Sequence, residues 1–291
     1  MRAVPAATLA WLALAACGSG TPAASPTTLA PPTTAAPTVV TTTTTTSTTT
    51  TVAPTTTVTV TTTVTAPSSL AGAVIVVDPG HNGANASHPP EVNRPVDAGG
   101  FPKACNTTGT ATDDGVTESS INLAVALAVR DRLTAAGATV ILTRSNDDGW
   151  GPCIDQRGQT AARNHAVLLV SIHADGGPPG GSGFHVIHPG VVAGYTGGSA
   201  APSAKLAVAV RDALAGAGFI PADYIAGGDG LDERTDVGTL NRAETPALMV
   251  ELGNLRNTAD ASLLAAPNGQ ARAAEALVAG IATWLGRVGP S

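Results

Sequence analysis

Four short islands carry the side chains of this chain best suited to chemistry in concert. They are Asp78-Pro79-Gly80-His81-Asn82, Thr117-Glu118-Ser119, Ser171-Ile172-His173-Ala174-Asp175 and Val250-Glu251-Leu252-Gly253-Asn254. Two histidines and one glutamate from remote parts of a chain are what a catalytic zinc site takes as protein ligands, with a fourth position left for water. A second glutamate is what such a site needs as a base. Taken singly, each residue has a plainer explanation. His81 suits a polar loop, Glu118 the positive end of a helix dipole, His173 a half-buried position, and Glu251 a charged strand end. Taken together those explanations are strained, because three apolar runs would each end by chance in a metal-type or acidic side chain.

The elements that must position these residues are legible as hydrophobic patterns. Ala73 to Val77 is a continuous apolar run that predicts a buried strand, closed by the turn signal Asp78-Pro79-Gly80. Thr117 predicts the N-cap of a helix reaching Ala136, with Ile121, Val125, Val129 and Leu133 on its apolar stripe and Gly137 as its stop. Further strands are expected at 139–143, at 166–172 just before His173, at 183–188, and at 247–250 just before Glu251. Further helices are expected at 155–165, from Pro202 to Gly218, and at 268–285. Strands alternating with helices predict one α/β domain over residues 71–287, a twisted, mostly parallel or mixed sheet of about six strands with helices on both faces. In such sheets functional groups collect beyond the carboxyl ends of the strands, which lets all four islands converge.

Composition divides the chain. Of 291 residues only 12% are charged and 3% aromatic, 43% are hydrophobic, and the net charge is −6. No cluster of Lys or Arg is present, so nucleic acid is not an expected partner. Residues 1–17 read as an export signal, with Arg2 followed by an apolar stretch too short to span a bilayer. It ends Leu14-Ala15-Ala16-Cys17, which resembles the bacterial lipobox, whose cysteine is lipid-modified; plain secretion is the alternative. Residues 18–70 are Thr, Pro, Ala, Ser and Val, cannot offset their ordering entropy by burial, and are expected to be disordered. As a flexible coil that segment would reach on the order of 40 Å, enough to lift a domain off a membrane. Three cysteines in an exported chain leave an odd one. Lipidation of Cys17 would account for it and leave Cys105 and Cys153 as a pair worth about 4 kcal/mol in chain-entropy terms. Two unrelated buried thiols are the other reading.

The islands resemble, in order, the motifs of the zinc-dependent N-acetylmuramoyl-L-alanine amidases, over roughly residues 71–287. Asp78 to His81 matches that family's Asp-Pro-Gly-His, and Glu118 ahead of Asn122-Leu123-Ala124 matches its helical glutamate. Ser171 to Ala174 matches its Ser-Ile-His-Ala, and Val250 to Gly253, with Asn254 and Asn257 near, matches its Val-Glu-Leu-Gly. Arg157 and Asn164 fall where the family carries Arg and Asn, and the Cys105 and Cys153 pair resembles small actinobacterial-type members. The resemblance implies one Zn2+ held by His81, Glu118 and His173, with Glu251 as the base. It implies cleavage of the amide joining the lactyl group of N-acetylmuramic acid to L-alanine of the stem peptide, in peptidoglycan or its muropeptide fragments. The expected product of the whole chain is an exported monomer, either secreted or lipid-anchored through Cys17 to the cell membrane and facing the wall.

Weaker expectations attach to other residues. Asn82 and Asp175, beside the ligands, and His185 are expected to line the substrate pocket, and His185 and His188 are read as sharing one strand face. Asp78 suits either a hydrogen bond to a ligand histidine or a cap on the Pro-Gly turn. Residues 88–104, rich in Pro and Gly, read as a mobile flap, and the Gly-rich stretches 176–183 and 194–198 as borders of the groove. Two other functions compete: another zinc cell-wall peptidase cutting within the stem peptide, and a non-catalytic wall-binding lipoprotein. The intact ligand set and Glu251 argue against the second.

Overall fold

The first apolar run becomes β1 (Val74–Pro79), buried along nearly its whole length because helices cover both of its faces. The computed structural model describes residues 70–225 and 227–288. The expected export segment 1–17, Cys17, and the expected linker up to residue 69 lie outside the described residues. Leu70, the last residue assigned to the linker, is fully buried in the core.

β1 pairs in parallel with β4 (Thr139–Leu142) on one side and β5 (Leu168–Asp175) on the other. β8 (Ala247–Asn254) runs parallel beside β5. β6 (His185–Pro189) then pairs antiparallel with β8, and β7 (Leu231–Arg234) lies parallel to β6 at the edge. The result is a six-stranded mixed sheet of order β4-β1-β5-β8-β6-β7, in line with the expected α/β class.

One face of the sheet is covered by α2 (Glu118–Ala135), α4 (Ala200–Gly216) and α7 (Pro267–Val288), where Ile121, Val125, Leu206, Val210, Leu277 and Ile281 meet Ile75, Val77, Val170 and Val250. The other is covered by α3 (Ile154–Arg163) and α5 (Gly238–Asn241), where Ala161 and Leu240 meet Val76, Leu169 and Ile187. α2 starts where the sequence says it should: the Thr117 hydroxyl accepts the Ser120 amide, a cap worth about 1 kcal/mol. Its apolar stripe packs inward while Glu118, in the first turn, is left facing the rim of the sheet.

Several elements differ from expectation. β5 continues two residues past His173 and β8 three past Glu251, so both side chains sit within strands rather than after them. β7 reads Leu-Asp-Glu-Arg, too polar to signal a strand, as suits a sheet edge. α6 (Thr258–Ala265), capped by the Asn257 side chain, also escaped the periodicity test because it is short. The stretch expected to be a flap is folded. It forms α1 (Pro89–Asn93) and a hairpin of β2 (Pro95–Asp97) with β3 (Pro102–Ala104), tied by the Cys105–Cys153 disulfide and by Asp97, which accepts the Gly99 and Gly100 amides and pairs with Arg242. His185 and His188 do not share a face. Strand side chains alternate, so a separation of three puts His185 on the Ile187 side and His188 on the Val186 side.

Candidate active site

Strand pairing brings two of the islands together. His173 on β5 is the register partner of Glu251 on β8, and both point to the face that also carries Leu169 and Met249. Neighbouring strands lie about 4.8 Å apart, which sets the two side chains alongside each other. His81 arrives from the turn after β1, held in a left-handed conformation with φ of 55°. That conformation costs a non-glycine residue on the order of 1 kcal/mol. The cost is met by the polar scaffold beneath it: Arg157 Nη2 donates to the His81 carbonyl at 2.7 Å.

Glu118 joins the two histidines. His81 Nε2 lies 3.1 Å from its Oε2 and His173 Nδ1 lies 2.9 Å from its Oε1. The Thr110 and Ala174 amides donate to the same carboxylate at 3.0 and 3.2 Å, and Asn122 Nδ2 donates at 3.2 Å. Burial works to raise the Glu118 pKa, but the hydrogen bonds and charges of His173 and His81 outweigh it and hold the carboxyl well below its usual range. The Thr107 carbonyl can only accept, so the His81 Nδ1 opposite it at 3.0 Å carries the proton. In that tautomer the second ring nitrogen, Nε2, faces a carboxylate oxygen. A shared positive charge, such as a metal ion supplies, suits a nitrogen and a carboxylate oxygen held this close.

The donor set fits a metal ion on these grounds. One ligand atom each from His81, Glu118 and His173 lies within 4.8 Å of the other two. Glycine leaves the room: a Cβ on Gly80 would come within 2.2 Å of His173 Nε2, and one on Gly109 within 2.7 Å of Glu118 Oε2. Gly80→Ala should therefore displace the His173 ring and weaken metal binding at this group by about 10- to 100-fold, the scale seen when ligand supports are lost. Competition against a chromophoric chelator measures this; wild-type affinity in Gly80→Ala would refute the role given to the close approach.

A cleft of about 280 Å³ is lined by His81, Thr107 to Thr110, Glu118, His173, Asp175 and Glu251. A second cavity of about 190 Å³ shares His81 and His173 but is more apolar, with Ile154, Val237 and Met249 in its wall and Lys103 at its edge. Glu251 Oε2 is buried without a hydrogen-bond partner. Burial first, and then the negative charges of Glu118 and Asp175, hold its carboxyl well above the usual range.

Of the weaker expectations, Asp175 lines the cleft. Asn82 is buried and turned away, donating to the Gly151 carbonyl and accepting the Gly83 amide. His185 is the antiparallel register partner of Glu251. Asp78 touches no ligand histidine. It is fully buried against Arg157 Nη1 at 2.6 Å, Ser171 Oγ at 2.6 Å and the Thr143 hydroxyl. Asn164 is exposed and only closes its own helix end through the Thr160 carbonyl. Arg144 went unnoticed in the sequence, yet it donates to the Pro79, Gly80 and Ser119 carbonyls and so braces both the His81 turn and the start of α2. A lone arginine after a strand carries no signal of burial. The Thr107–Thr110 loop was also missed, because its contribution is backbone, which side-chain chemistry does not advertise.

An α/β sheet with two histidines, a glutamate and a nearby buried carboxyl at one end suits a hydrolase that could hold a metal ion. The chain belongs to the N-acetylmuramoyl-L-alanine amidase family, whose sequence profile matches residues 75–283. It is 40% identical over 224 residues to the N-acetylmuramoyl-L-alanine amidase Rv3717 of Mycobacterium tuberculosis, covering 77% of this chain and 90% of that protein. The crystal structure of the N-acetylmuramyl-L-alanine amidase Ami1 from Mycobacterium smegmatis superposes with a TM-score of 0.70 at 43% identity, over 75% of this chain and 99% of that one. Ami1 from Mycobacterium abscessus gives a TM-score of 0.69 at 42% identity, over 74% and 99% of the two chains.

Proposed function

We propose that this amidase cleaves the bond between the lactyl group of N-acetylmuramic acid and L-alanine of the stem peptide, with Zn2+ as its metal. The observation that carries the reading is the convergence of His81, Glu118, His173 and Glu251 on one cleft. His81, Glu118 and His173 would hold the ion. When bound, zinc activates water at about neutral pH and polarises a carbonyl oxygen. Glu251 takes the proton of the attacking water and returns it to the departing amine nitrogen. Its raised pKa suits a carboxyl that must both accept and give back a proton. Ala174 and Thr110 amides and Asn122 keep Glu118 from turning out of the ligand set. The cavities on either side of the two histidines offer room for the glycan and peptide arms of the substrate.

Mass spectrometry of fragments from purified wall, with a chelator and then with zinc restored, tests this. Lactyl-terminated glycan with intact stem peptides is expected, disappearing with the chelator and returning with zinc. Shortened stems would instead favour a carboxypeptidase, and no product a wall-binding protein.

We also propose that residues 1–17 direct export, that residues 18–70 act as a tether, and that residues 71–287 work as a monomeric catalytic domain facing the wall, anchored by lipid on Cys17. The Cys105–Cys153 disulfide supports the export, since such bonds persist in oxidising compartments. Cys17→Ser should move the protein from the membrane fraction to the medium. Equal membrane retention of both forms would remove the anchor.

A further inference from the structure

Glu251 has an imidazole on each side. Across β5 its register partner is His173, and across β6 it is His185. The three side chains form one row on one face of the sheet, and only the first histidine belongs to the ligand cluster. His185 is 3% exposed, and its Nδ1 is buried without a hydrogen-bond partner, as is Glu251 Oε2. The two atoms do not hydrogen-bond to each other in this structure; an orphaned buried group costs about 1–3 kcal/mol, so a side-chain rotation that joined them would relieve both. Burial lowers the His185 pKa below 6.5 despite Asp175 and Asp232, with Arg234 acting in the same direction as burial. The ring is thus neutral near neutral pH and carries one N–H donor. Tyr224 packs edge-on against it with ring centres 6.3 Å apart, and Tyr224 is itself backed by Gly177 and Gly181, where a Cβ would come within 2.8 and 2.6 Å. The imidazole is therefore walled in beside the carboxyl.

We propose that His185 is a positioning residue for Glu251, its ring N–H donating to the buried carboxylate oxygen once the two neighbouring side chains turn toward each other, so that the other oxygen is held toward the cleft. A carboxylate fixed through one oxygen presents the other in a single orientation to the attacking water, whereas a free one samples several. Oriented this way, proton transfer is favoured in the transition state and substrate binding is left alone, so the effect falls on kcat rather than KM. The proposal rests on the assignment of Glu251 as base.

Two variants separate hydrogen bonding from volume. His185→Leu fills the space without a donor; His185→Gln keeps a donor of similar reach. For the zinc-loaded full chain acting on a muropeptide, His185→Leu is expected to lower kcat roughly 10- to 100-fold, the scale of a lost bond to a charged group. KM and bound zinc should stay within about twofold of wild type, and His185→Gln should recover most of the rate. Unchanged kcat in His185→Leu, a rise in KM alone (which would make His185 a substrate contact), loss of zinc, or equal losses in both variants would each overturn the proposal. Failure of the underlying reading looks different: wild-type protein with zinc would release no lactyl-terminated glycan, or Glu251→Gln would cleave normally.

Discussion

Glu251→Gln should bind zinc at wild-type stoichiometry and hydrolyse the muramoyl–alanine amide about 10²- to 10⁴-fold more slowly. The substitution preserves shape and removes the only function assigned to the side chain, accepting a proton. The fold has little reason to respond, because Glu251 sits mid-strand in β8 with partners on both sides that hold the backbone. The candidate metal ligands have little reason to respond either, because Glu118 is fixed by amides and Asn122, none of which involves Glu251. Elemental analysis and kcat on one preparation check both halves. A rate within threefold of wild type would leave the cleft without a base.

The second large effect is on stability. Arg157→Met should cost about 3–5 kcal/mol, the cost of leaving one member of a buried ion pair alone, and lower the unfolding midpoint by on the order of 10 °C. Arg157 and Asp78 are 2% and 0% exposed at their side chains. Arg157 also donates to the carbonyls of Pro79, His81, Gly151 and Pro152, so one guanidinium joins the His81 turn to the disulfide-bearing loop. Burial opposes ionisation of Asp78, but the Arg157 charge and the Ser171, Thr143 and Arg157 hydrogen bonds prevail and lower its pKa below 3.8. A lowered folded-state pKa means that the stabilisation is full above the ordinary carboxylate value and is lost as pH falls through the depressed one. Without Arg157 only the Ser171 and Thr143 hydrogen bonds oppose burial, so the folded-state pKa rises and the cost of the unpaired charge shrinks as acid protonates Asp78. Replacing Asp78 by Leu in the same chain should restore much of the midpoint, because an apolar pair carries no orphaned charge. Calorimetry of the two variants decides it; a single substitution that moved the midpoint by less than about 2 °C would show the pair to be dispensable.

Much of the architecture could be read from local pattern. β1, β4, α2, α3, α4 and α7 lie within a few residues of where hydrophobic period and caps place them, since burying one stripe or one run is a local property of the chain. The four islands were visible for the same reason: each ends an apolar run or opens a helix. Three things were not local. The order of the strands, with β8 inserted between β5 and an antiparallel β6, is set by packing between distant segments, and it alone makes His173, Glu251 and His185 neighbours. The partners of buried charge were not legible either, so Asp78 was read as capping the turn or bonding a ligand histidine and Arg144 was passed over, whereas the low-dielectric interior pairs each with groups some 65 to 79 residues away. Finally, the backbone at Thr107 and Thr110 helps to shape the site through a carbonyl and an amide that every residue possesses, and only tertiary structure says which of them face a carboxylate. Residue type and the family resemblance together picked out the candidate ligands, because few side chains can hold a cation. Their geometry depended on long-range contacts, which no local stretch encodes.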